Sequence, residues 1–206
     1  MASEVGICNA ALQLVKNSKQ ITSLAQGTKE ANACEIIYDE LRQAVLEMHG
    51  WNFAVKRAKL GQLATTTAAF GWDYSYQLPS DFLRALGVHQ DSGGRDRIAY
   101  KVEGSTISSD ASDLYLRYIR DETDPNMMPA TFRLCLSKLL ASRLAVTLSQ
   151  STSLSKEMYI QFVDEDMPTA KAADSIQDFP DQLPESEWVS VRYGDFRNYE
   201  PGDSVS

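Results

Sequence analysis

A chain of 206 residues with 43% hydrophobic and 23% charged side chains can bury one good core as a globular protein. No run approaches the roughly 18 consecutive apolar residues of a membrane span, and no charged n-region followed by an apolar h-region opens the chain, so a soluble, cytosolically made protein without an export signal is expected. The formal net charge of −8 is concentrated late in the chain: residues 174–206 carry eight acidic against two basic side chains (−6), which leaves −2 for the rest. That balance tells against gripping nucleic acid by phosphate neutralisation, which needs clustered Lys and Arg.

Ser3 is the predicted N-cap of a first helix in which Val5, Cys8, Ala11 or Leu12, and Val15 recur at helical spacing until Lys16-Asn17-Ser18. A polar connection with Ile21, Leu24 and Gly27 follows. Thr28 caps a longer helix with an apolar stripe of Cys34, Ile37, Tyr38, Leu41, Val45 and Met48, and Gly50 is its expected stop.

From Trp51 to about Arg120 the pattern changes to short β-branched and aromatic segments separated by turn residues. Phe53-Ala54-Val55 and Tyr74-Ser75-Tyr76 are predicted strands, and Pro79-Ser80-Asp81 leads through Phe82 and Leu83 into Leu86-Gly87-Val88. Asp91-Ser92-Gly93-Gly94 has the chemistry of a hairpin turn, and a second hairpin joins Tyr100-Lys101-Val102 to Thr106-Ile107-Ser108 through Gly104-Ser105. Leu114, Leu116 and Tyr118 alternate with Tyr115, Arg117 and Ile119, which predicts a strand buried on much of both faces.

Asp124-Pro125 marks the return to helix, with Pro129 at the first turn and Phe132, Cys135 or Leu136, Leu139, Leu140, Leu144 and Thr147 or Leu148 on one face. After a Ser-rich loop at 149–153, a fourth helix carries Leu154, Met158, Phe162 and Glu165, and Pro168 should end or kink it. Beyond about residue 174 no period survives, and Pro180, Pro184 and Pro201 interrupt an acidic run that is nonetheless rich in aromatics. The expected fold is α+β, mainly α: a four-helix bundle (1–50 and 123–173) with an inserted small antiparallel β domain (51–122) and an extended acidic C-terminal tail (174–206).

Cys8, Cys34 and Cys135 are widely separated, odd in number, and without a C-x-x-C pair, and His49 and His89 are the only histidines. The cysteines read as small buried hydrophobes, and neither a metal site nor a cofactor is expected. Trp51-Asn52-Phe53-Ala54 reads as an anchor of helix to sheet, with a ligand-stacking platform as the alternative. Lys56, Arg57 and Lys59 read either as a solvated strand face or as a contact to DNA or to an acidic neighbour. Paired carboxylates of a glycosidase need an apolar pocket and a defined separation, whereas Glu40, Glu47 and the run Asp164-Glu165-Asp166 look like solvated faces. Neither His49 nor His89 lies in a nucleophile-elbow context, and Gly93-Gly94 lacks the strand-to-helix setting of a phosphate loop. No catalytic residue is assigned.

An ordered series of short segments spans nearly the whole chain: Ile21-Thr22-Ser23-Leu24, Tyr38-Asp39-Glu40-Leu41-Arg42, Trp51-Asn52-Phe53-Ala54 with Lys56-Arg57, Tyr76-Gln77-Leu78-Pro79-Ser80-Asp81-Phe82-Leu83-Arg84, Tyr100-Lys101-Val102-Glu103-Gly104, Leu116-Arg117-Tyr118-Ile119, Thr123-Asp124-Pro125, the helix from Phe132 to Leu148, and Glu187-Trp188 with Arg192-Tyr193. In this order and spacing the chain resembles the head-to-tail adaptor proteins of short-tailed bacteriophages, also called tail tubular protein A. The resemblance implies a structural virion protein of the viral tail, not an enzyme. It implies twelve copies in a ring, a dodecamer bound to the portal protein on one side and to a nozzle or tail-tube protein on the other. Double-stranded DNA would pass through its channel during genome ejection without sequence-specific binding, and assembly would occur in the host cytoplasm.

In that setting Trp188, Val191, Arg192, Tyr193, Phe196 and Tyr199 are the candidate contacts to the portal or a neighbouring subunit. A solvated tail is the alternative for this segment, and a tail-associated peptidoglycan hydrolase is the alternative function.

Overall fold

The computed structural model describes residues 2–16, 19–64, 70–94 and 96–177. Its fold is α+β. The helices are α1 (Glu4–Leu14), α2 (Lys29–Glu47), α3 (Ala130–Ser149), α4 (Thr152–Gln161) and α5 (Met167–Ser175); the strands are β1 (Val55–Leu60), β2 (Tyr74–Gln77), β3 (Phe82–His89), β4 (Lys101–Glu103), β5 (Thr106–Ser109) and β6 (Leu114–Arg120).

Helix starts follow local capping chemistry. The hydroxyls of Ser3, Thr28 and Ser151 accept from the backbone N–H groups of Gly6, Ala31 and Leu154 respectively, and each satisfies an amide the helix leaves unpaired. Ser23 and Gln26 form a capping box in the turn between α1 and α2, closed by Gly27 at φ +74°. Asn9 on α1 pins this connection by donating to the Ile21 carbonyl at 2.9 Å and accepting from its N–H at 2.8 Å.

Helix ends depart from expectation. Gly50 does not terminate α2 in a left-handed conformation; the helix stops at Glu47, and the Trp51 indole N–H donates to the Val45 carbonyl at 2.9 Å, doing the work of a C-cap. Pro129 is the cap residue before α3 and not part of its first turn. The loop expected at 149–153 shrinks to Gln150, left-handed at φ 50°, and Ser151.

Pro168 does not end its helix. A π-helical turn over Phe162–Asp166 joins α4 to α5, with the Met167 N–H reaching the Phe162 carbonyl five residues back. The wider turn absorbs both consequences of a proline, the missing donor and the ring's clash with the preceding turn, so one rod continues to Ser175.

α3 is the central helix, in contact with α1, α2, α4 and α5. Its buried positions cover most of its circumference, including Phe132, Leu136, Leu139, Leu140, Leu144 and Ala145. The two serines it buries, Ser137 and Ser142, bond back to the carbonyls of Leu134 (2.8 Å) and Leu139 (2.7 Å), which removes the cost of burying a bare hydroxyl.

The strands form two three-stranded antiparallel sheets, ordered β1-β6-β3 and β2-β5-β4. The Leu63 N–H donates to the Ser75 carbonyl at 2.8 Å and stitches the first sheet to the edge of the second. Both expected hairpin turns are present, with Gly94 at φ +67° and Gly104 at φ +61°, conformations in which a Cβ would be strained. Phe53 and Ala54, expected in a strand, belong instead to a 3₁₀ turn, Asn52–Ala54, and β1 begins at Val55.

The central strand β6 joins two cores. Leu114, Leu116 and Tyr118 face the second sheet together with Tyr76, Val88 and Ile107, while Ile119 belongs to the helical core. The burial expected on much of both faces is therefore met on one face only: on the other, Ile119 is buried, Tyr115 is half-buried and Arg117 is exposed. Trp51 and Phe132 meet edge to face at 5.1 Å and Phe53 and Phe132 at 4.9 Å, so the aromatic segment after α2 packs the sheet's end onto α3.

Arg42 locks the same junction. Its side chain is 2% exposed. The guanidinium pairs with Asp121, donates to the Glu122 carbonyl at 2.7 Å and to Asp39 at 3.2 Å, and Gln43 donates to the other Asp121 oxygen at 2.9 Å. The end of β6 is therefore tied to the C-terminal half of α2.

Asp174, 5% exposed, ties the end of the last rod to the same region. Its carboxylate accepts from the Asn52 N–H at 3.1 Å and lies 3.3 Å from His49 Nε2, and its carbonyl accepts from the Asn52 side chain at 3.0 Å.

Two substitutions test this packing. Arg42→Met strands Asp121 and the Glu122 carbonyl and should cost about 3 kcal/mol in urea unfolding, the scale of a broken buried ion pair. The Tyr38 hydroxyl is buried with no hydrogen-bond partner among the described residues, so Tyr38→Phe should leave the unfolding midpoint within about 0.5 kcal/mol of the parent.

Candidate functional site

The basic residues singled out in the sequence, Lys56, Arg57 and Lys59, lie on β1, and strand alternation divides them. Lys56 points to the side of Ala58 and Leu60, where its ammonium donates to Asp81 at 2.7 Å and Asp81 also accepts from the Tyr118 hydroxyl at 2.8 Å. Arg57 and Lys59 project from the opposite, outer face.

There the register sets Arg57 directly across from Arg117, with Gly87 on the far side of Arg117. In the next row Lys59 pairs with Tyr115, and Tyr115 with His89. Lys59 makes an ion pair with Asp113 at 2.8 Å and stands 5.3 Å over the Tyr115 ring. A short bridge between His89 and Arg97 brings Arg97 to the same surface.

The result is a shallow groove of about 750 Å³ whose lining includes Arg57, Arg117, Arg97, His89 and Tyr115, with Asp91 of the hairpin turn at its edge. Gly87 forms its floor: a Cβ there would stand 3.1 Å from His89 Nε2 and 3.8 Å from the Arg97 guanidinium. Arg57, Arg97 and Arg117 are exposed, and none makes an ion pair among the described residues. A smaller cavity of about 330 Å³ lined by Asn52, Val55, Arg57 and Arg117 continues the groove toward the helices.

Arg117, Arg97 and His89 were not singled out as site residues from the sequence. The alternation in Leu114–Arg120 did place Tyr115 and Arg117 on one face, but only the pairing of three strands sets that face beside Arg57. The tail candidates Trp188, Val191, Arg192, Tyr193, Phe196 and Tyr199 lie outside the described residues. Trp51 and Phe53 are in the aromatic junction, with Trp51 1% exposed.

The carboxylates weighed for hydrolysis are dispersed. Glu40, Glu47, Asp164 and Glu165 are exposed, and Asp166 faces Lys138 at 3.7 Å. Among the described residues no group of three or more His, Cys, Asp or Glu is placed to hold a metal ion, and no helix is long and apolar enough to cross a membrane. All three cysteines are buried and free. A hydrogen bond with Cys34, followed by burial, pushes the Cys8 thiol up, while burial raises Cys135 to about 12, so both remain protonated near neutral pH. No family model matches this chain, and no curated protein matches it in sequence.

Asp81 supplies a titration test of the sheet. Burial alone would raise its carboxyl, but the hydrogen bonds from Lys56 and Tyr118 outweigh it and hold the group below its ordinary value. A carboxyl depressed on folding stabilises the native state above the unfolded value, near pH 4, and that contribution is lost as pH falls toward the folded value. The parent's thermal midpoint should therefore fall between about pH 4 and pH 2 more steeply than that of Asp81→Asn.

Proposed function

We propose that this chain is the adaptor ring subunit of a short-tailed bacteriophage, joining the portal to the tail nozzle and lining the channel through which the genome leaves. The observation that carries the reading is the ordered set of segments from Ile21 to Tyr193 that resembles this family across nearly the whole chain.

Several of these segments coincide with joints of the fold. Ile21 is held by Asn9, Arg42 by Asp121, Trp51 packs on Phe132, and Asp81 is held by Lys56 and Tyr118. Such joints keep a subunit rigid, which a mechanical connector requires and a solvated scaffold does not. In this reading the helical rods form a four-helix bundle, with the β unit inserted between its halves.

Apolar side chains on one stretch of the last rod, Tyr159, Ile160 and Val163, are 49%, 57% and 43% exposed, and Val163 follows Tyr159 by four residues and Ile160 by three, a spacing that sets it beside both and fits lateral packing of copies in a ring. The near-neutral body suits a channel through which DNA slides.

The aromatic tail residues Trp188, Val191, Arg192, Tyr193, Phe196 and Tyr199 are the portal or neighbour contacts in this reading. Burial of the four large rings offers about 20 kcal/mol at most, and ordering about sixteen residues costs about as much. Docking then depends on backbone hydrogen bonding and on closure of the ring.

Negative-stain images of the protein mixed with portal rings should show an added collar; bare portal rings at saturating protein would overturn the reading. Purified peptidoglycan should not clear in a turbidity assay, and clearing would favour the tail-associated hydrolase instead. Removal of the tail should be made after Gln177, because a cut after Ala173 also deletes the buried Asp174 anchor. That shortened chain should lose at least about tenfold in portal affinity, the scale on which interface aromatics act.

A further inference from the structure

We propose that the outer face of the sheet β1-β6-β3 is a docking groove for the chain's own acidic segment, residues 178–187, which lies across it in the free subunit. The inference does not depend on assembly with a portal.

The groove is built for carboxylates. Arg57 and Arg117 are opposite neighbours in the β1–β6 ladder, a like-charge pair that repels unless an anion bridges it. Arg97 converges on them from the hairpin; the carboxylate that also lines the groove, Asp91, is engaged in its own turn, where it accepts from the Gly93 and Asp96 N–H groups, and no ion pair joins any of the three arginines to an acidic side chain among the described residues. His89 Nδ1 is buried beside them with no hydrogen-bond partner among the described residues. Guanidinium forks bind planar carboxylates bidentately, and Tyr115 adds an apolar floor.

The chain supplies the ligand at the right place. Asp174 is anchored on Asn52, and Asn52 lines the cavity that Arg57 and Arg117 share with the groove. The last described residues thus stand at one end of the basic surface. The next ten, 178–187, hold Asp178, Asp181, Glu185 and Glu187 and no basic residue. Extended, ten residues reach about 33 Å, enough to cross three strands spaced about 4.8 Å apart.

Tethering raises the effective concentration of the segment to the millimolar range, which lets modest ion pairs hold it. A DNA backbone is the weaker occupant, because it would have to approach a chain of net charge −8 against its overall field.

The test uses the full chain and a fluorescein-labelled synthetic peptide of residues 178–187, read by anisotropy at low salt. In the native chain the tethered segment should block the peptide. The variant Asp178→Asn, Asp181→Asn, Glu185→Gln, Glu187→Gln should bind it at least about tenfold more tightly. Adding Arg57→Glu and Arg117→Glu to that variant should abolish binding; should the reversal unfold the sheet in a thermal melt, Arg57→Gln and Arg117→Gln replace it with the same expectation.

Equal peptide binding by the native and tail-neutralised chains would overturn the proposal, as would binding that survives loss of the two arginines. A control with Glu35, Glu40 and Glu47 changed to Gln and Asp164 to Asn removes the same charge elsewhere, and an equal gain there would reduce the effect to net charge and overturn it. Tighter binding of a DNA duplex than of the peptide by the tail-neutralised chain would give the groove to nucleic acid and overturn it too.

Discussion

A guanidinium sealed from water must be surrounded by oxygen, because its charge cannot be relieved by deprotonation and its desolvation is costly. Arg42 meets that demand by drawing Asp121 and the Glu122 carbonyl to the C-terminal half of α2. Burial pulls its pKa down, yet the hydrogen bonds and charges of Asp121 and Asp39 more than compensate, and the group stays charged. The constraint propagates in both directions. Upstream it fixes where β6 ends, and therefore the register of the three-stranded sheet; downstream it fixes where the chain turns at Asp124-Pro125 toward α3.

The second consequence concerns faces. Because Ile119 is committed to the helical core and Leu116 and Tyr118 to the other sheet, the free part of the outer face begins at Arg117. Every cation on that face is placed by this choice. Arg57 stands opposite Arg117 because β1 pairs with β6 in a register without slips, while the two register shifts in β3 bring Gly87 alongside Arg117. The absence of a Cβ at Gly87 lets the His89 and Arg97 side chains lie down over the strand. Packing on one side of a strand has thus produced an electropositive groove on the other.

The last rod shows how a nominal breaker is used. Pro168 removes one donor, and the π turn before it lets the helix pass without a break and reach Asp174. Without that passage the carboxylate that anchors Asn52 would not arrive at the α2–β1 junction. A single wide turn so connects the placement of the rod's end to the edge of the basic face.

The features legible in the sequence were local ones. Ser3 and Thr28 cap because a hydroxyl three residues before an amide reaches it whatever the rest of the chain does; Gly104 turns because a left-handed φ is cheap only without a Cβ; β6 buries the set Leu114, Leu116 and Tyr118 because all three are large and apolar or aromatic. The α+β class and the two hairpins follow from such rules. What the tertiary structure decided were the pairings across long separations. The partner of Arg42 lies 79 residues away, that of Asn52 lies 122 away, and nothing in the local pattern selects either. The division of Lys56 from Arg57 and Lys59, and the meeting of Arg57 with Arg117, depend likewise on which strands become neighbours. That choice is made by the burial of whole faces, a collective quantity that no short segment contains.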